Sequence, residues 1–169
     1  KWLLYIPWNF NLNEHKDIEN YLLSFYDELN DRAGVKDGTY NWHVLHRYAS
    51  GYFEDFLKEK IIYSEIVGSP RFTLDRKGFI PDYTTFIITG NSLRYILSFL
   101  NSKLCTYIFK KFYSGGGLGN NYRYQKEYLT KTPLINITSV QENSFNSLVE
   151  LLLDTKENLI NSNYKFNFI

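Results

Sequence analysis

The sequence has 169 residues, 44% of them hydrophobic and 22% charged, and its net charge is +1 at pH 7. This length and composition are typical of one folded domain with its own hydrophobic core, and they exclude a disordered tail, a coiled coil and a collagen-like chain. A single cysteine excludes a disulfide framework, and the lack of any run of about 20 apolar residues excludes a membrane span.

The chain is expected to be a segment of a longer polypeptide, because it starts with Lys1 and contains no methionine. The single cysteine favours a reducing compartment, the cytoplasm. Because the length suits one core, residues 1–169 are predicted to form a single domain.

The N-terminal third is predicted to be mainly helical. An apolar run over Trp2–Ile6 predicts a short strand. Asn13 is the predicted cap of an amphipathic helix over Glu14–Arg32, whose apolar residues recur at three- and four-residue spacing. A polar loop is predicted over Ala33–Thr39, and the aromatic residues between Trp42 and Phe56 indicate one or two short helices.

The central part has the composition of β-strands. Four segments rich in Ile, Tyr, Phe and Thr are separated by turn-forming residues, which predicts antiparallel strands. The segments are Lys60–Val67, Arg71–Leu74, Phe79–Pro81 and Thr84–Thr89.

The C-terminal half adds two predicted helices and a strand. A continuous apolar face predicts a helix over Ser92–Phe112, and a strand is predicted over Pro133–Ile137. Ser139 and Glu142 form a predicted capping box for a helix that ends near Asn161. The predicted fold class is therefore α+β, with a mixed, mainly antiparallel sheet of short strands packed against about three amphipathic helices.

The charge is distributed unevenly along the chain. Residues 60–131 carry eleven Lys and Arg against four Asp and Glu, whereas residues 1–59 carry six against ten. No acidic residue occurs between Asp82 and Glu127, and the basic residues of that tract alternate with tyrosines. Such a surface suits a polyphosphate backbone, because cations release condensed counterions and tyrosine hydroxyls bond phosphate oxygens. A basic face that is simply solvated is the alternative.

Histidine and cysteine are often catalytic or metal-binding residues, but here they are predicted to have structural roles. His43 and His46 stand three residues apart, but without a nearby third ligand their spacing indicates packing near Trp42 rather than a metal site. Cys105 falls beside the apolar face of a predicted helix, which indicates a buried and inert thiol.

An enzymatic alternative comes from Glu65, Asp75 and Lys77. Two carboxylates followed by a lysine imitate the site of a metal-dependent nuclease, in which the acids hold Mg²⁺. The same residues, with Gly78, also suit a turn between two strands. The glycine-rich loop over residues 115–119 does not indicate a nucleotide site, because it lacks the lysine of a nucleotide-binding loop and follows a helix instead of preceding one. No other pattern in the sequence indicates a catalytic residue.

The order of several short blocks resembles the TaqI-like C-terminal specificity domain. The likeness extends over most of residues 1–137. The blocks are Trp2-Leu-Leu-Tyr-Ile6, Leu29-Asn-Asp-Arg32, Trp42-His-Val-Leu45, Lys60-Ile-Ile-Tyr63, Pro70-Arg-Phe-Thr-Leu-Asp75 with Gly78-Phe79, Leu93-Arg-Tyr-Ile-Leu97, Leu100-Asn-Ser-Lys-Leu104, and Tyr124-Gln-Lys-Glu-Tyr-Leu129 through Pro133.

The resemblance implies a target recognition domain of an adenine-specific DNA methyltransferase or of a fused type II restriction–modification enzyme. Such a module selects duplex DNA, while a separate methyltransferase domain of the same polypeptide uses S-adenosylmethionine to methylate a flipped adenine. This chain has no Pro-Pro pair, so it lacks the catalytic loop of that domain. The segment itself is therefore expected to be no enzyme and to hold no cofactor, and the helix over residues 139–169 is expected to contact the methyltransferase domain or a spacer.

Loops near residues 64–78 and 113–126 are predicted to face the DNA. Side chains with fork or amide geometry suit base edges in the major groove, and those predicted to read bases are Arg71, Asn120, Asn121, Arg123 and Gln125. Lysines and tyrosines suit phosphates, which fix position without reading sequence. The predicted phosphate contacts are Arg76, Lys77, Lys110, Lys111, Tyr113, Tyr122, Tyr124 and Lys126, of which Arg76 and Lys77 also suit base edges. A protein-interaction module with an incidental basic tract is the remaining alternative.

Overall fold

A computed structural model describes residues 3–48, 51–82, 84–113 and 121–166. The chain folds into two compact units, Lys1–Phe53 and Glu54–Ile169. The single domain predicted over residues 1–169 stays a prediction. None of the helices formed by the described residues has the length and the apolar composition that a membrane span requires.

The first unit is built from short helices around a small apolar core. Its elements are a 3-10 turn at Leu12–Glu14 and the helices α1 (Lys16–Leu23), α2 (Tyr26–Asn30) and α3 (Ala33–Lys36). Its buried core residues are Ile6, Leu12, Leu22 and Val44. The predicted loop over residues 33–39 is thus partly helical.

One continuous helix was predicted over Glu14–Arg32. This prediction was wrong, because Ser24 interrupts the helix. The Ser24 hydroxyl donates to the Tyr21 carbonyl at 2.6 Å. That carbonyl would accept from Phe25 in a regular α-helix, but the Phe25 N–H bonds to Leu22 instead. Asn13 also lies inside the 3-10 turn rather than at a cap.

The strand predicted over Trp2–Ile6 was wrong for residues 3–6, which have no regular structure; Trp2 lies outside the described residues. The Ile6 carbonyl accepts from the Leu45 N–H at 2.9 Å, a single bond and not a ladder. The carbonyls of Trp42 and Val44 accept from the Arg32 guanidinium, which closes this unit around its core.

Tyr40 explains the glycine at position 34. A Cβ on Gly34 would lie 2.1 Å from a carbon of the Tyr40 ring, so only glycine allows the ring to pack on this backbone. The Arg32 guanidinium lies 5.2 Å from the centre of the same ring. The start of α3 is therefore held by Tyr40.

The second unit begins with α4 and contains both sheets. Its elements are α4 (Phe53–Leu57, which spans the unit boundary), β1 (Lys60–Ser64), β2 (Ile66–Val67), β3 (Thr73–Asp75), β4 (Thr85–Ile88), α5 (Leu93–Leu100), α6 (Lys103–Ile108), a π-helical turn (Phe109–Tyr113), β5 (Tyr122–Arg123), α7 (Lys126–Lys131) and α8 (Ser139–Phe166). β1 lies between β3 and β4 in an antiparallel sheet, and β2 pairs with β5 in a second one. The predicted α+β class, with short and mainly antiparallel strands, is confirmed.

The prediction of a strand at Phe79–Pro81 was wrong, because the Phe79 N–H group belongs to a turn and not to a sheet. Asp75 accepts hydrogen bonds from the Lys77 and Phe79 N–H groups, each at 2.9 Å. Gly78 lies inside this turn with φ +70°, a conformation that favours glycine. Pro81 has no N–H to donate to a ladder.

The helix predicted over Ser92–Phe112 is broken into α5 and α6. α5 ends after Leu100, because the Ser102 N–H bonds to the Phe99 carbonyl at 3.0 Å instead of to the Ser98 carbonyl. The Asn101 side-chain amide also donates to the Leu97 carbonyl at 3.1 Å. Ser102 then caps α6, because its hydroxyl accepts from the Cys105 N–H at 3.0 Å.

The C-terminal helix was predicted almost correctly. α8 begins at Ser139, but its capping box lies one residue earlier than predicted: the Thr138 hydroxyl accepts from the Gln141 N–H, and the Gln141 side chain accepts from the Thr138 N–H. The strand predicted over Pro133–Ile137 was wrong, since these residues have no regular structure. α7 was not predicted.

Candidate nucleic-acid interface

A short antiparallel ladder joins two of the segments predicted to face DNA. Its paired residues are Ile66 with Arg123 and Val67 with Tyr122. The Tyr124 N–H extends it by donating to the Glu65 carbonyl at 2.7 Å. A Cβ at Gly68 would lie 3.4 Å from Asn121 Oδ1, so the residues that flank the ladder are also neighbours.

Three buried rings connect this ladder to two other segments. Tyr124 lies 4.5 Å from Phe109 and 5.0 Å from Phe72, measured between ring centroids. The exposed fractions of these rings are 1%, 0% and 5%. We call Phe72, Phe109 and Tyr124 the ring cluster. Since its members come from three separate segments, the cluster fixes those segments relative to one another.

Each ring of the cluster has an exposed polar neighbour in the sequence. Arg71 precedes Phe72, Lys110 follows Phe109, and Arg123 precedes Tyr124, and all three are exposed. We define the candidate interface as Arg71, Lys110, Lys111, Asn121, Arg123, Gln125 and Lys126. Gln125 is half-buried, and the others are exposed.

Asn101 holds the segment that carries Arg71. Its amide donates to the Phe72 carbonyl at 2.9 Å, and its side-chain oxygen accepts from the Phe72 N–H at 3.2 Å. The side chain thus satisfies both backbone groups of Phe72 as a neighbouring strand would. Sequence reasoning did not assign this role to Asn101.

Tyr124 cannot contact a phosphate, so this prediction was wrong. Its ring lies in the core, where aromatic neighbours surround it. Tyr113 is half-buried, stacks on Tyr128 with centroids 5.8 Å apart, and donates its hydroxyl to the Lys131 carbonyl at 3.1 Å. That tyrosine therefore anchors the π-helical turn to α7.

Two predicted contacts lie outside the described parts of the chain. Asn120 is not among the described residues, and the side chain of Tyr122 is not described either. The same holds for the glycine-rich loop over residues 115–119. Their predicted roles stay predictions.

Lys103, Tyr107 and Lys111 follow one exposed face of α6 and the π-helical turn. Lys111 Nζ lies 3.1 Å from the Tyr107 hydroxyl and 5.5 Å from its ring centre. Tyr107 is 56% exposed. No contact was predicted for Lys103 or Tyr107, although the four-residue spacing of these three side chains would have indicated one helix face.

Arg76 and Arg94 are bound by acids from distant parts of the chain. Arg94 contacts both oxygens of Glu59, each at 2.9 Å, and also Glu150 on α8. Arg76 contacts the same two acids, and the pKa of Glu150 is lowered by hydrogen bonds from Arg76 and Arg94. Arg94 lies on α5 and Arg76 directly follows β3, so their contacts with Glu150 attach α8 to both elements. Arg94 therefore does not contribute a free cation to the tract between Asp82 and Glu127.

Lys77, a predicted phosphate contact, lies 3.7 Å from Glu157 of α8. Its side chain is 71% exposed and the partner is 64% exposed. An ion pair this exposed is weak, so it does not prevent Lys77 from turning to another anion.

Asp75 serves the fold rather than a metal. Its carboxylate contacts the buried Lys60 ammonium. Burial raises the pKa of Asp75, but hydrogen bonds from Lys60 and from the Lys77 and Phe79 N–H groups outweigh burial and lower it. Glu65 is bound to Arg123. Among the described residues, no three His, Cys, Asp or Glu side chains are grouped so that they could hold a metal ion.

The packing of His43 near Trp42 and the burial of Cys105 are confirmed, whereas His46 packs on Tyr40 instead of near Trp42. His43 packs against Trp42 with centroids 5.6 Å apart, and His46 stacks on Tyr40 at 5.3 Å. Cys105 is fully buried, and burial raises the pKa of its thiol to about 11. A protonated thiol is a poor nucleophile.

Comparison with known proteins identifies the family of the chain. A family model described as the TaqI-like C-terminal specificity domain matches residues 9–134. No curated protein matches the chain. The matched range includes both strands of the ladder, the ring cluster and every residue of the candidate interface.

Proposed function

Because the chain belongs to the family of TaqI-like C-terminal specificity domains, which are DNA-recognition modules of restriction–modification enzymes, we propose that it selects a specific sequence in double-stranded DNA. Its parent is an adenine methyltransferase, alone or fused to an endonuclease, that acts in the cytoplasm. S-adenosylmethionine and the chemical step belong to the methyltransferase domain of that polypeptide, and this segment supplies docking and sequence choice.

The ring cluster is the observation that carries this proposal. Arg71, Lys110 and Arg123 lie far apart in the sequence, but each adjoins a ring of one buried cluster. Base recognition needs side chains whose positions are fixed before binding. Loops attached to a packed core meet that need better than loops that move independently.

The proposed contacts divide by chemistry. Lys110, Lys111 and Lys126 are compact cations that bind phosphates without reading sequence. Arg71, Asn121, Arg123 and Gln125, together with Asn120, carry the forks and amides that base edges require. Lys77 remains a proposed phosphate contact at the other end of β3. Arg76 is bound by Glu59 and Glu150, as Arg94 is, so its phosphate contact stays a prediction that requires it to exchange these acids for a phosphate.

The test compares two triple variants. Lys110→Gln, Lys111→Gln and Lys126→Gln together should weaken binding to every duplex and lower the slope of log affinity against log salt by about one per lost phosphate contact. The control replaces Lys16, Lys36 and Lys58, which are 67%, 60% and 62% exposed, by Gln. Fluorescence anisotropy with a labelled duplex measures both, and an equal loss in the two triples would contradict the proposal.

The same preparations separate the two alternatives. A small nuclease would nick supercoiled DNA in the presence of Mg²⁺ and would stop when EDTA removes the metal. A protein-interaction module would show no steep fall of affinity for the labelled duplex between low and high salt, because its function depends on an apolar interface and not on phosphate contacts. The proposed function expects no nicking and a steep salt dependence.

The outer face of α8 is proposed to contact the methyltransferase domain or a helical spacer. Leu148, Leu151, Leu152 and Leu159 are each at least 60% exposed. The opposite face is occupied within this unit, where Val149 is buried and Leu153 packs against the core. Exposed leucines at this density are typical of a surface that another partner covers.

A further inference from the structure

Glu65 holds the strand that carries Arg123 in two ways. Its backbone carbonyl accepts from the Tyr124 N–H at 2.7 Å. Its carboxylate oxygen Oε1 accepts from Arg123 Nε at 2.8 Å. The Glu65 side chain is 24% exposed, whereas Arg123 is 52% exposed. The acid therefore lies largely within the protein, while much of the arginine faces solvent.

This contact leaves the outer end of the guanidinium available. Nε is engaged by Glu65, and no described residue accepts a hydrogen bond from Nη1 or Nη2. These two nitrogens form the end-on fork that matches the O6 and N7 acceptors of guanine in the major groove. Tyr124, the next residue, is fixed in the ring cluster, so the backbone that carries the fork is anchored.

The charge of Glu65 indicates what Arg123 binds. A carboxylate beside an arginine lowers the local positive potential, which weakens attraction to phosphates. The carboxylate therefore benefits recognition only where the orientation of the arginine fork matters more than the positive charge of the arginine. A base edge is such a target, because a wrong base presents different groups to the same fork, whereas every phosphate presents the same oxygens.

We propose that Glu65 is a positioning residue that presents Nη1 and Nη2 of Arg123 to a guanine in the recognised DNA sequence. This inference rests on the proposed function and deepens it. Glu65 does not itself touch the base; it fixes the arginine that does.

The experiment uses the full chain and duplexes selected from a randomised library. The selected site should contain an essential guanine, and replacing it by 7-deazaguanine, which removes the N7 acceptor, should weaken wild-type binding about 5- to 100-fold. Arg123→Ala should abolish this difference. Glu65→Gln should reduce the guanine preference at least about 5-fold, while its affinity for duplexes of unrelated sequence stays equal or rises, because a negative charge near phosphates is removed.

The matched control is Glu19→Gln. Glu19 accepts from Lys16 and is 25% exposed, so the substitution removes one similarly buried acidic charge from an ion pair in the other unit. It should leave the guanine preference unchanged. The unfolding midpoint of Glu65→Gln should stay close to that of wild type, which separates loss of positioning from loss of structure.

The possible outcomes separate failure of the proposed function from failure of the positioning role of Glu65. If wild type binds no duplex in a salt-dependent manner, the proposed function and this inference are both refuted. If wild type selects a sequence but Glu65→Gln keeps the full guanine preference, or if Arg123→Ala does, only this inference is overturned. An equal fall of Glu65→Gln affinity on selected and unrelated duplexes also overturns it.

Discussion

The buried ion pair between Lys60 and Asp75 should be among the most sensitive points of the second unit. The Lys60 side chain is 0% exposed and that of Asp75 is 4% exposed. Lys60 Nζ also donates to the Phe56 carbonyl, and the carboxylate holds the Lys77 and Phe79 N–H groups. The pair therefore connects α4, β1 and the turn after β3.

Asp75→Asn should cost about 3 to 5 kcal/mol, because it leaves a buried ammonium without a counter-charge. Lys60→Met should cost less, about 2 kcal/mol, since the remaining carboxylate keeps two backbone donors. The double variant should cost less than the sum of the singles by about 2 kcal/mol, because neither charge is then left alone.

Urea unfolding followed by far-UV circular dichroism measures these free energies. All three tryptophans lie before residue 54, so tryptophan fluorescence would report on the first unit instead. A double variant whose cost equals the sum of the two singles within about 0.5 kcal/mol would refute the reasoning, because independent sites add in this way.

Acid should weaken the same pair. The pKa of Asp75 is lowered in the folded protein, so the unfolded chain takes up its proton first as the pH falls through about 4. The stabilisation is complete above that pH and is lost as the pH falls through the folded-state pKa. The free-energy gap between wild type and the Lys60→Met, Asp75→Asn double variant should therefore narrow below about pH 4 and stay constant from about pH 5 to 7.

Three further predictions follow from burial and from the division into two units. Tyr124→Ala should cost about 3 to 5 kcal/mol and weaken DNA binding, whereas Tyr124→Phe, which keeps the ring, should bind DNA as wild type does; equal binding by Tyr124→Ala would disprove the role of the ring cluster. On α8, Val149→Ala should lower the free energy of unfolding by about 1 to 3 kcal/mol, while Leu151→Ala and Leu152→Ala each change it by no more than about 0.5 kcal/mol. A larger loss in the two leucine variants than in Val149→Ala would show that the leucine face of α8 is the buried one. If residues 1–169 form one domain, tryptophan fluorescence and circular dichroism should give coincident urea transitions, and two separated transitions would contradict that prediction.

Much of the candidate site could be predicted because its residue chemistry is visible in the sequence. The acid-free tract pointed to Lys110, Lys111 and Arg123, which the structure describes as exposed. The supporting residues were not predicted. Asn101 acts on Phe72 across 29 positions, and Glu65 acts on Arg123 across 58 positions. No local pattern carries such pairings, because they arise only when the strands and helices pack.

The sequence by itself determined those features whose causes are local. The start of α8 depends on residues within one helical turn, and the positions of the central strands depend on runs of Ile, Tyr, Phe and Thr. The order of short blocks identified the family, which the match over residues 9–134 supports. Each of these features depends on neighbours along the chain.

The tertiary structure decided which side chains face solvent and which charges are paired. Tyr124 and Tyr107 look alike in the sequence, but the first is 1% exposed and the second 56%. Arg94 and Arg123 are both arginines of the acid-free tract, yet the first is bound by Glu59 and by Glu150 of α8, while no described residue accepts a hydrogen bond from Nη1 or Nη2 of the second. Burial and ion pairing depend on distant partners, and those partners are brought together only by the fold.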